Sequence, residues 1–94
     1  MNSIYLNFDQ TITRITGSKY GSIIYNEQIK PKIKDNEMNE IVFPENIKAI
    51  GISFVRGMMS EEMIKYGKQG LFEHFKFKCN NESLEQKIIE SINF

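Results

Sequence analysis

The sequence has one cysteine, one histidine, no tryptophan and no excess of either charge. One cysteine cannot form an intramolecular disulfide, and one cysteine with one histidine cannot fill a four-ligand zinc site from side chains of those two types. Twelve basic and twelve acidic residues leave a net charge of zero, so the basic excess of a nucleic-acid-binding protein is missing. We expect no metal, no cofactor and no nucleic-acid partner.

Long apolar runs are also missing. No run reaches the roughly 20 residues that cross a bilayer, and Met1–Gln10 lacks the basic and apolar regions of a signal peptide. Apolar residues nevertheless make up 40% of the 94 positions and aromatic residues 12%, which is enough for one small core. We expect a soluble cytoplasmic protein with a single domain over residues 1–94.

Residue periodicity predicts four strands and three helices. Alternating or continuous apolar residues indicate the strands, and apolar positions three or four residues apart indicate the helices. The first two strands are expected to form a hairpin, and Gly67 is expected to end the second helix. In chain order the elements are strands at Ser3–Asp9 and Thr11–Ile15, a helix from Ser18 that ends or kinks before Pro31, a strand at Glu40–Phe43, a helix at Gly51–Tyr66, a strand from Glu73 to Cys79 and a last helix capped by Asn80-Asn81.

The element order β-β-α-β-α-β-α has connections long enough for crossovers between parallel strands. Because the first and last strands alternate, one sheet face is expected to be covered by helices and the other partly open. The predicted fold class is α/β, with a mixed four-stranded sheet and three helices mainly on one face. Lys76 and Lys78 are expected on the open face, where they favour a monomer or a weak homodimer.

The spacing along the sequence does not bring either candidate pair of catalytic side chains together. His74 and Cys79 are five residues apart, which puts them on opposite faces of a strand. Glu61 and Glu62 diverge by roughly 100° on a helix, and we interpret both as a solvated face. We expect no enzyme activity.

The segment from Ile47 to Val55 leaves a strand and begins a helix. The Ser53 hydroxyl can accept a hydrogen bond from an amide of the first helical turn, and Gly51 lets the chain turn tightly. Two interpretations of Ser53 stay open: a helix cap with no further role, or a phosphoacceptor whose charge the helix dipole stabilises and an apolar partner avoids. Met58, Met59 and Met63 are interpreted mostly as core filling, but Met58 lies off the expected apolar stripe and is assigned to an adaptable contact surface. That stripe consists of Ile52, Val55, Met59, Met63 and Tyr66.

The same segment carries a resemblance to a known family. Ile41-Val42-Phe43-Pro44-Glu45-Asn46-Ile47, followed by Ile50-Gly51-Ile52-Ser53-Phe54-Val55-Arg56-Gly57, resembles the bacterial STAS-like domains. In that family a strand reading roughly V-x-D-F-x-G-V precedes a helix that begins I-G-x-[SA]-F. Gly17-Ser18-Lys19-Tyr20-Gly21 is similar to the start of the family's first helix. The chain departs from the pattern at Phe43, where an acidic residue is usual, and at Gly51-Ile52, which replaces the Asp-Ser/Thr before the antagonist serine.

The resemblance implies a non-enzymatic regulatory interaction module related to the anti-sigma factor antagonists. In those antagonists a kinase-like ATPase phosphorylates a serine at the start of the second helix, and Ser53 lies nearest that place. The resemblance therefore implies a histidine-kinase-like ATPase as partner. Two alternatives stay open: a small phage- or mobile-element-encoded inhibitor of a host enzyme, and a domain that binds a small ligand or nucleotide. The expected partner-binding residues are Lys48, Gly51, Ser53, Arg56 and Met58.

Overall fold

The computed structural model describes residues 1–93, which form an α/β fold with five short strands and three helices. A π-helical turn at Tyr25–Ile29 and a 3₁₀ turn at Lys30–Lys32 follow the first helix. The strands are β1 (Asn2–Tyr5), β2 (Arg14–Ile15), β3 (Asn39–Val42), β4 (Ala49–Ile50) and β5 (Phe75–Lys78), and the helices are α1 (Ser18–Ile24), α2 (Ile52–His74) and α3 (Glu82–Asn93).

The strands form two parallel sheets instead of one mixed sheet of four. The larger sheet has the order β1-β3-β5 and the smaller one pairs β2 with β4. The expected turn after β1 does form, since the Asp9 carboxylate accepts hydrogen bonds from both the amide and the hydroxyl of Thr11. The chain then leaves β1 and pairs β2 with β4. The predictions of a hairpin and of a mixed four-stranded sheet are therefore wrong.

The larger sheet has one buried and one exposed face. Ile4 on β1 lies beside Ile41 on β3, and both side chains are completely buried. The alternate positions point the other way, and there Tyr5, Lys76 and Lys78 are exposed. The prediction of an open, lysine-bearing sheet face is confirmed.

The turns that follow α1 contact the chain at both ends of β1. The Gln28 side chain donates to the carbonyl of Asn7 at 2.8 Å and accepts from the amide of Asn7 at 2.7 Å, so it pairs with the backbone as a neighbouring strand would. At the other end of β1, the Asn2 side chain donates to the carbonyl of Lys32 at 2.8 Å. The Gln28 contact therefore occupies the backbone groups of Asn7, with which another strand could otherwise pair.

Two helix ends follow from local sequence. The regular course of α2 is interrupted at Gly67, whose φ of 74° favours glycine. Ahead of α3, the Asn81 side-chain oxygen accepts a hydrogen bond from the amide of Leu84 at 3.0 Å. The Asn81 cap was predicted and is confirmed. At Gly67 the predicted break is confirmed, but the prediction that the helix ends there is wrong, because helical structure resumes and continues to His74.

Candidate interaction surface at the start of α2

The smaller sheet brings the starts of α1 and α2 together. Ile15 on β2 and Ile50 on β4 are register partners, both are buried, and the Gly51 amide donates to the Ile15 carbonyl at 2.8 Å. Because the two strands are parallel, the chain leaves both in the same direction. Gly17 therefore precedes α1 beside the place where Gly51 precedes α2.

Ser53 is exposed and is the second residue of α2. Its hydroxyl oxygen accepts a hydrogen bond of 3.2 Å from the amide of Gly17, 36 residues earlier in the chain. The residue that caps α2 is Gly51, which has no side chain to make a capping hydrogen bond. The expectation that Ser53 caps its own helix is wrong, because α2 begins one residue before it.

Gly51 has an ordinary backbone conformation, with φ of −80° and ψ of 149°. Any residue can adopt these angles. The backbone therefore does not require glycine at position 51, and the expectation of a tight turn that needs glycine is wrong. A Cβ atom at this position would lie 3.1 Å from Cγ2 of Thr16. The neighbouring side chain, and not the backbone angle, limits what fits at position 51.

Two basic residues flank the start of α2, and both are exposed. The backbone amide of Lys48 donates to the carbonyl of Thr13 at 2.7 Å, which fixes the Lys48 backbone beside β2. Arg56 lies one helical turn after Ile52, and its Nε donates to the carbonyl of Ser91 at 3.3 Å. The first turn of α2 has no acidic residue, so its positive dipole end and these two side chains carry the same sign.

Met58 is completely buried. The assignment of Met58 to a contact surface is therefore wrong. The buried face of α2 is wider than the expected stripe. It is also rotated about the helix axis, so it is centred on a different set of positions. The buried residues of α2 are Phe54, Val55, Gly57, Met58, Met59, Glu62 and Leu71.

The same rotation exposes Ile52, which was expected inside. Its side chain is 44% exposed and precedes Ser53 at the start of the helix. The spacing of Phe54 and Met58, four residues apart, was the signal in the sequence that favoured the observed face. We call the surface formed by Lys48, Gly51, Ile52, Ser53 and Arg56 the α2 rim.

The other candidate residues have structural partners. Glu61 is exposed and pairs with Lys30 at 3.2 Å, as a solvated residue would. Glu62 is buried and its carboxylate accepts a hydrogen bond from the Tyr25 hydroxyl, so its assignment to a solvated face is wrong. The protein thereby places a carboxylate in its core, where the hydrogen bond offsets part of the desolvation cost.

His74 and Cys79 do not form a reactive pair. His74 ends α2 and its ring stacks on Tyr66 at a centroid distance of 3.9 Å. Burial, with a smaller contribution from Glu85, raises the pKa of the Cys79 thiol to about 12. A thiol with such a pKa is a poor nucleophile near neutral pH. Across residues 1–93, no three His, Cys, Asp or Glu side chains form a cluster that would hold a metal ion.

Comparisons with known proteins do not assign the chain to a family. No protein-family model matches the chain, and no curated protein or solved structure is significantly similar to it. The resemblance to STAS-like domains therefore stays a prediction based on the residues quoted above. Among the described helices, none has both the length and the apolar character required to cross a membrane.

Proposed function

We propose that the chain is a non-enzymatic regulatory interaction module of the STAS-like type that binds a histidine-kinase-like ATPase through the α2 rim. The observation that carries the proposal is the side-by-side exposure of Ile52 and Ser53 at the start of α2. An exposed isoleucine supplies apolar contact area, and the adjacent hydroxyl gives the ATPase a place to add charge.

The positive charge of the α2 rim favours an acidic docking surface on the ATPase. The rim combines Lys48, Arg56 and the positive end of α2, and the first turn of that helix has no carboxylate. Such complementarity increases the association rate and selects the orientation of the partner more than it increases affinity. The apolar contact of Ile52 then contributes the buried area.

Phosphorylation of Ser53 is the proposed switch. The bond between the γ-phosphorus of ATP and its bridging oxygen breaks, and a new bond forms from the phosphorus to Ser53 Oγ. ADP leaves, and the hydroxyl proton passes to a base of the ATPase. The dipole of α2 stabilises the added charge, while the same charge beside Ile52 repels an apolar partner surface. Binding and modification therefore oppose each other.

Photo-crosslinking in the native host tests the docking surface. A photoreactive amino acid replaces Ile52 in the full chain, and the matched control places it at Tyr5, which is 68% exposed on the open sheet face. We expect an adduct with an ATPase from position 52 and none from position 5. Equal adducts from both positions, or an adduct from position 5 alone, contradict the proposal.

Mass spectrometry tests the switch separately. The captured ATPase is incubated with the chain and Mg-ATP, with Ser53→Ala as the control. We expect phosphate on Ser53 in the unmodified chain and none in the variant. Phosphate on another residue removes the switch but leaves docking intact. An adduct with a metabolic enzyme instead of an ATPase favours the inhibitor alternative.

A further inference from the structure

A cavity lies beside the carboxyl ends of β3 and β5, and no residue of the α2 rim lines it. Its volume is about 350 Å³, which is at the small end of the range of about 300–1,000 Å³ for ligand cavities. The cavity therefore suits a ligand of metabolite size. We call it the strand-end cavity, and it is lined by Val42, Phe43, Glu45, Lys78, Cys79 and Asn80.

The two walls of the strand-end cavity are joined by hydrogen bonds. The Phe43 amide donates to the Lys78 carbonyl at 2.8 Å. Beyond the strands, the Asn80 side chain donates to the Glu45 carbonyl at 3.1 Å. The segment after β3 is therefore held to the segment after β5 without any ligand, and a site that is already ordered binds at a lower cost in entropy.

Two opposite charges line this cavity, and neither is neutralised. Lys78 and Glu45 are both exposed, and within residues 1–93 neither forms an ion pair, with the other or with a third residue. The rest of the lining is partly apolar, because Val42 and Cys79 are half-buried and Phe43 is buried. The cavity thus presents a cation, a carboxylate and an apolar surface together.

The charge balance of the lining selects among small ligands. Lys78 and Glu45 are its two charged residues, and their charges sum to zero. A phosphate monoester carries nearly two negative charges at neutral pH, so a nucleotide would meet one cation and be repelled by the carboxylate. A simple amine or carboxylic acid would pair with one of the two charges. An α-amino acid has one ammonium and one carboxylate group and can pair with both.

We propose that the strand-end cavity binds a free α-amino acid with an apolar side chain. The ligand ammonium pairs with Glu45 and the ligand carboxylate with Lys78, while the apolar side chain contacts Val42 and Phe43. This site goes beyond the proposed function and does not depend on it, because the α2 rim lies on other elements of the fold.

Three ligands that differ in charge test the occupant. They are L-phenylalanine, phenethylamine, which lacks the carboxylate, and phenylpropionate, which lacks the ammonium. Each is titrated into the full chain near neutral pH and followed by nuclear magnetic resonance. We expect L-phenylalanine to shift the amide signals of the cavity residues and to bind at least about fivefold more tightly than either analogue, because only the amino acid makes both charged contacts.

Two variants separate the two charged contacts. Lys78→Gln is expected to weaken binding of L-phenylalanine and phenylpropionate at least about threefold and to leave phenethylamine unchanged. Glu45→Gln is expected to weaken binding of L-phenylalanine and phenethylamine and to leave phenylpropionate unchanged. The matched control is Lys76→Gln, because Lys76 is also exposed on β5 and does not line the cavity. The control is expected to bind all three ligands as the unmodified chain does.

Four results would overturn the proposal. They are no binding of L-phenylalanine or L-leucine up to about 10 mM, equal affinity for the amino acid and its two analogues, signal shifts centred away from the cavity, and equal losses from Lys76→Gln and Lys78→Gln. Tighter binding of adenosine monophosphate than of L-phenylalanine would make this a nucleotide site and refute the amino acid. None of these readouts depends on Ile52 or Ser53, so failure here is distinguishable from failure of the proposed function.

Discussion

The Cα atom of Ser18 lies 2.7 Å from the position that a Cβ atom at Gly57 would occupy, and its carbonyl oxygen lies closer still. At the same crossing, a Cβ atom at Gly21 would lie 2.8 Å from the backbone nitrogen of Met58. Helices α1 and α2 therefore contact each other backbone to backbone. This close approach accompanies the hydrogen bond between the Gly17 amide and the Ser53 hydroxyl.

Substitution of Gly57 by alanine is expected to destabilise the protein strongly. The methyl group would overlap the backbone of Ser18, which can move away only if α1 and α2 separate. We expect the free energy of unfolding to fall by about 3 kcal/mol, at the upper end of overpacking effects. Urea denaturation measures the change. The control, Gly51→Ala, places its methyl against a side chain and should cost less than about 1 kcal/mol; equal losses would contradict the role of the crossing.

The buried pair of Tyr25 and Glu62 gives a second prediction. Tyr25→Phe removes the hydroxyl that donates to the Glu62 carboxylate, so we expect a loss of about 2 kcal/mol in the free energy of unfolding. Glu62→Gln retains an acceptor at the same place and should lose less. A Tyr25→Phe variant as stable as the unmodified protein would show that the hydrogen bond contributes nothing.

The same pair predicts a dependence on pH. Burial, and then the hydrogen bond with Glu62, raises the pKa of the Tyr25 hydroxyl. The fold therefore favours the protonated phenol. Its stabilising contribution is complete below the ordinary pKa of about 10 and declines as the pH rises above that value. Denaturation between pH 8 and 11 should show a steeper decline for the unmodified protein than for Tyr25→Phe, and parallel curves would be the contrary result.

Asn39 is buried, and its side chain joins β3 to the turn that precedes it. Its oxygen accepts from the Lys34 amide at 2.9 Å, and its amide group donates to the carbonyls of Lys34 and Glu37 at 2.9 and 3.1 Å. An aspartate cannot donate to these carbonyls and adds a buried charge. We expect Asn39→Asp to lose about 3 kcal/mol of unfolding free energy. Thermal or urea denaturation checks this, and Asn36→Asp at an exposed position of the same turn should change little.

Cys79 provides a chemical prediction. Because burial chiefly, and Glu85 next, raise the pKa of the thiol to about 12, very little thiolate is present at pH 8. Alkylation by iodoacetamide should therefore be at least about tenfold slower in the folded protein than in urea. The folded rate should continue to increase with pH above 9, where an unperturbed thiol approaches saturation. Equal rates in the two states would contradict the burial of the sulfur.

Local patterns were sufficient where an element depends on its own residues. The alternation around Phe75 and Phe77 predicted β5, the Asn81 cap preceded α3, and Gly67 interrupted α2. Each feature depends on groups a few residues apart. The side-chain oxygen of Asn81 reaches an amide three positions later, and the positive φ of Gly67 is a property of one residue.

The pairing of strands that lie far apart in the sequence was not predicted correctly. The turn at Asp9 suggested a hairpin, but β2 pairs with β4, and β4 has only two residues and therefore almost no pattern of its own. Met58 and Ile52 exchanged their expected environments because α1 crosses α2 at two glycines, which determines the face of α2 that is buried. An amphipathic pattern on one helix does not specify where another helix will cross it.

The sequence by itself determined the class of fold, the helical start near Ser53 and the open lysine-bearing face, because these depend on residue type and short spacing. Only the tertiary structure decided that the sheet divides into three and two strands, that Met58 is buried, and that Ile52 and Ile64 are exposed. The physical reason is that strand pairing and helix crossing join residues tens of positions apart. Their energies depend on how backbones fit together, which periodicity along one segment does not encode.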